Sequence, residues 1–126
     1  MKHINIKHIE SLHGDALRGL DFYNTELGIL QERLSEIAGK NTALDVQEQV
    51  DHFQNQFIIQ ANVIKLLTQT LHDNSKKIKT EVHELAGFVD AGDIEENEDL
   101  YGDYLMEEKI FNELRHEFNR FAAERM

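Results

Sequence analysis

Residues 50–85 read VDHFQNQFIIQANVIKLLTQTLHDNSKKIKTEVHEL, a stretch without proline or glycine. Within it Val50, Phe57, Ile64, Leu71, Ile78 and Leu85 recur every seven residues. On a helix this repeat keeps large apolar side chains on one slowly drifting line, as in a coiled-coil seam. The flanking apolar positions, Val46, Phe53, Leu67, Val82 and Val89, migrate as expected of a single rod. The pattern predicts a central helix over 43–89, roughly 70 Å long. Asp73-Asn74-Ser75 is the candidate break, since all three favour turns and caps. A break there would make an up-down four-helix bundle. The repeat stays in step from Leu71 to Ile78, which favours continuity and three long helices.

Upstream, Ile6, Ile9, His13, Ala16, Leu20, Tyr23, Leu27, Leu30, Leu34 and Ile37 step by three and four. They predict a first helix over 6–38. Gly39 is read as its C-terminal stop, and Thr42 with Asp45 as a capping box for the next helix. So short a connection makes the two helices antiparallel neighbours. Downstream, half of the sixteen residues 93–108 are acidic, so 90–97 reads as an acidic linker and 98–125 as the last helix. Its stripe is Leu100, Tyr104, Phe111, Leu114, Phe118 and Phe121. The expected fold is all-α: one domain of 126 residues, an antiparallel, coiled-coil-like bundle.

If the outer helices each cover half of the long one, the start of the first and the end of the last meet near its middle. That middle is apolar nearly all round, through Phe57, Ile58, Ile59, Ala61, Val63, Ile64, Leu66 and Leu67. Such a helix must be covered all round. Phe22 and Ile29 add to the surplus on the first helix. A homodimer is therefore expected, with Phe22, Ile29, Ile58, Ile59, Val63 and Leu66 as its surface. Gln60 and Asn74 fall on the inward lines, where a buried amide can fix register and partner number.

A net charge of −11 opposes binding to DNA or RNA, whose affinity rests on neutralising phosphates. Lys76, Lys77 and Lys79 sit beside Glu81 and Glu84 and read as a solvated face. Cysteine is absent, which removes disulfides and thiolate chemistry together. No apolar signal segment opens the sequence, and the longest run of large apolar residues is Phe57-Ile58-Ile59, so a cytoplasmic protein with no membrane role is expected.

Two Glu-x-x-His steps, Glu10/His13 and Glu113/His116, carry the spacing used in ferritin-like di-iron bundles. Of the histidines involved, only His13 lies on an apolar stripe, while His72 and His116 are expected to look outward. A hemerythrin-like site needs a His-x-x-x-His step, and none exists. The acidic segment from Asp93 resembles the start of a calcium loop, but Glu98 stands where that turn needs glycine. No nucleophile elbow, Walker loop or dinucleotide fingerprint is present. The expectation is a non-enzymatic protein without cofactors that works by protein–protein interaction. A metal- or small-ligand-binding bundle centred on His13 is the alternative.

Overall fold

The computed structural model describes residues 6–84 and 91–125. Among these residues three helices form a bundle: α1 (Ile6–Lys40), α2 (Leu44–Glu84) and α3 (Ala91–Arg125). The described residues contain no strand. α2 runs unbroken through Asp73-Asn74-Ser75, so among the described residues there are three helices and no break that would make a fourth. Asn74 is buried and adds to the inward line instead of breaking it. Leu85 and the expected helix end at 89 lie outside the described residues.

On α2 the buried positions Val46, Val50, Phe53, Phe57, Gln60, Ile64, Leu71, Asn74 and Ile78 keep the three–four alternation, with Leu67 half-buried in its place. On α1 every member of the stripe from Ile9 to Ile37 is buried. At the α1–α2 turn the helix continues through Gly39 to Lys40. Asn41 ends it twice over, its N–H and its side-chain Nδ2 both donating to the Ile37 carbonyl, at 3.1 and 2.8 Å. Gln47 reaches back from α2 and donates to the carbonyls of Ala38 and Asn41. Ala43 precedes the first residue of α2, and its carbonyl accepts from the Gln47 N–H. Thr42 thus stands one residue too early to cap, and Gln47 closes the turn.

The expected linker 90–97 requires a correction: residues 91–97 are the first turns of α3. The acidic side chains that suggested a linker suit a helix N-terminus, where the backbone dipole favours negative charge. Asn97 and Leu100 turn inward, and Glu96 meets Lys77 of α2 at 3.4 Å.

This longer α3 changes the packing. α1 and α3 have 35 residues each and α2 has 41, so both outer helices run along nearly the whole central one. Lys77 with Glu96 near one end and Gln49 with Arg125 near the other make α2 and α3 antiparallel. Tyr23 with Phe111 and Glu26 with Arg115 make α1 and α3 parallel neighbours. The start of α1 therefore lies beside the start of α3, not beside its end. Gly19 of α1 faces Tyr104 of α3 at close range. A Cβ there would overlap the Tyr104 hydroxyl and lie 2.7 Å from its Cζ, so the missing side chain is what admits that ring.

Candidate interaction surface

Two polar layers interrupt the apolar interior. In the first, His13 of α1 and Asn74 of α2 are 4% and 3% exposed, with His13 Nε2 2.9 Å from Asn74 Oδ1. Nε2–H donates in that pair, since Oδ1 can only accept. His13 Nδ1 and Asn74 Nδ2 find no partner among the described residues. Asn97, also buried, belongs near this level, next to the Lys77–Glu96 contact. Among the described residues Ile9 and Ile78 are buried near this level without joining the main apolar cluster.

In the second layer Gln60 of α2 meets Glu107 of α3. Glu107 is 2% exposed, and with the Gln60 amide turned to put its nitrogen toward the carboxyl, that nitrogen lies 2.7 and 2.5 Å from the two oxygens and donates to them. Burial away from water pushes the Glu107 carboxyl up to about 7 from its ordinary 4.5. No charged neighbour contributes to that shift. Fourteen residues separate Gln60 from Asn74 along α2, which puts the layers roughly 21 Å apart.

Asn74→Leu leaves the His13 ring buried beside an apolar group and is expected to destabilise the fold by about 1–3 kcal/mol. The double variant His13→Leu/Asn74→Leu should recover most of that loss, because two apolar groups replace a matched polar pair. Urea unfolding of the single and double variants measures both effects.

The histidines do not converge. His72 and His116 are exposed, as are Glu10 and Glu113, and His52 Nε2 pairs across the surface with Glu117 at 3.5 Å. Among the described residues no group of three or more His, Asp or Glu is gathered to hold a metal ion. Glu107 is the inward acid that a di-metal reading would need, yet it faces Gln60 and belongs to a different layer from His13. The stripe assigned from sequence stepped from Tyr104 to Phe111 and passed over it. Continuing the three–four alternation finds Glu107 between them and Asn97 before Leu100.

The exposed apolar residues fall on separate flanks of the bundle. Phe22 and Ile29 are 55% and 47% exposed and bracket Glu26, whose contact with Arg115 lies between α1 and α3. Ile58 lines a groove between α1 and α2 with Gln31, Leu34, Gln54 and Phe57. Val63 and Leu66 line a groove between α2 and α3 with Leu67, Asp103, Met106 and Ile110, and Glu107 borders its floor. Ile59 continues that stripe one turn earlier on the same side of α2. Met106 and Ile110 thus join a surface that sequence reasoning had confined to α1 and α2. A larger groove between α1 and α2 has Leu17, Leu20, Ala61 and Ile64 as its apolar lining and Asp21, Lys65 and His72 among its polar residues.

No described helix is long and apolar enough to cross a membrane. No family model matches the chain, and neither a curated protein nor a solved structure matches it.

Proposed function

We propose that this protein acts without catalysis, by coiled-coil-like self-association through the α2/α3 face, with a second copy of the chain as the occupant. The contiguous apolar strip across that groove carries the reading. Ile59, Leu66, Met106 and Ile110 are 49%, 65%, 59% and 39% exposed, and Val63 is half-buried between them. Together they offer roughly 400–500 Å² of apolar surface, the size of the largest patch on a typical monomer and often a functional one. Two such strips face to face would bury roughly 900 Å², enough for the core of a standard interface once a polar rim is added.

Polar contacts between the helices stand at both ends of the strip, Lys77 with Glu96 on one side and His52 with Glu117 on the other. The apolar strip between them, Ile59 to Leu66 on α2, spans about two helical turns, and it suits a two-fold pairing in which each strip covers the other. Each copy carries a charge of −11, so apolar contact has to outweigh the repulsion between two like-charged copies. A cytoplasmic location, where a charged surface of this kind stays hydrated, accompanies this reading.

Sedimentation velocity across a concentration series tests it. The unaltered chain should show a monomer–dimer equilibrium. Ile59→Glu, which places a charge on the strip, should give a folded monomer. Glu108→Lys lies outside the strip and should leave assembly unchanged. A concentration-independent monomer for the unaltered chain would overturn the proposal.

A further inference from the structure

Glu107 is a buried acid without a cation, and it lies under the one groove proposed to close on assembly. We infer that pairing through the α2/α3 face is proton-linked, with each Glu107 carboxyl held more firmly in its protonated form as a second copy covers the groove above it. This inference rests on the self-association reading and adds its regulation.

The physical basis is hydration. Glu107 lines this groove together with Val63, Leu66, Met106 and Ile110, so a cover over the groove closes the side of Glu107 that borders it. Covering it with apolar side chains removes the remaining solvation of the charged form and leaves the neutral acid favoured. The surroundings supply no compensating charge. From α2 the facing polar group is Gln60, and Lys65 lines the opposite groove, toward α1. From α1 come Tyr23, whose ring packs on Phe111, and Glu26, which meets Arg115. On α3 itself Asp103 lines the same groove one turn away, and Tyr104 donates to Glu108 at 3.0 Å. Asp103 brings no positive charge that would hold Glu107 ionised.

Both protonation states keep their partner. The charged carboxylate accepts from the Gln60 amide nitrogen, and the neutral acid can donate its O–H to the Gln60 amide oxygen. Proton uptake therefore need not disturb the bundle, and its effect falls on the groove. Acid favours the pair and base favours the separate chains.

The test compares dimer dissociation constants at pH 8.5 and 6.5 for the unaltered chain and for Glu107→Gln, which is neutral at both. With two such carboxyls per dimer, a rise of about half a pKa unit on each, from about 7, tightens association about sixfold over this range. The unaltered chain should tighten at least that much, and Glu107→Gln should stay tight and nearly flat. Every other group that could respond to pH is common to both chains, and Glu107→Gln reports their share. An equal response in both chains would overturn the proton link and leave the surface standing. Monomers at every pH in both chains would overturn the surface, and the link with it. Carbon-13 NMR of the Glu107 carboxyl gives a second readout that needs no variant. Its titration midpoint should be higher in concentrated, paired protein than in dilute monomer, and equal midpoints would overturn the link.

Discussion

Truncating Phe57 to alanine is expected to lower the unfolding free energy by about 3–5 kcal/mol, the range for deleting a fully buried aromatic ring. Phe57 has no exposed surface, and its ring centroid lies 5.3 Å from that of Phe118 and 6.2 Å from that of Phe53. Phe53 in turn lies 5.4 Å from Phe118 and 5.1 Å from Phe121. These four rings join α2 to α3 near the α1–α2 turn, so the hole left by Phe57 is walled by rigid neighbours. Rigid walls collapse poorly, and that places the cost toward the upper end of the range. Since small domains are stable by about 5–15 kcal/mol, the variant should be marginal. Urea unfolding should show a much lower midpoint with an unchanged slope. A loss below about 1 kcal/mol would mean that the four rings do not form the packed core described here.

The second large effect is the response of stability to pH. The Glu107 carboxyl has a folded-state value of about 7, raised from 4.5 by burial. Between those values the folded chain holds a proton that the unfolded chain has released. The stability this contributes is fully present below about pH 4.5 and is lost as pH rises through about 7. At about 1.4 kcal/mol per pKa unit the loss amounts to about 3 kcal/mol. Unfolding in urea should therefore require less denaturant at pH 8 than at pH 5. Glu107→Gln should remove most of that slope and leave the protein more stable than the unaltered chain at pH 8. The exposed ion pairs, such as Lys77 with Glu96, lie on the surface and are each worth about 0–1 kcal/mol, too little to reverse the trend. A flat profile in the unaltered chain would show that Glu107 is hydrated in solution.

Much of the interior was legible in the order of residues. The seven-residue spacing from Val50 to Ile78 identified the seam of α2, and the stripe from Ile9 to Ile37 identified that of α1. Gln60 and Asn74 were read as inward and are buried. Asn97 and Glu107 were missed because stripes were assigned by apolar character, and these two occupy core positions with polar side chains. The acidic residues around 91–97 were read as linker because their charge outweighed their place in the alternation.

Periodicity along one helix reports which side faces inward, because each turn repeats the same geometry wherever the helix ends up. It carries no information about which turn of a neighbour lies alongside. Three helices, their inward faces and the continuity of the central one could be read from residue order alone. The parallel pairing of α1 with α3, the meeting of Gln60 with Glu107, and the union of Ile59, Val63 and Leu66 with Met106 and Ile110 depend on how far one helix slides along another. That offset is set by the sum of many side-chain contacts, among them the Gly19 notch for Tyr104 and the four phenylalanine rings, and it exists only once the chain has folded.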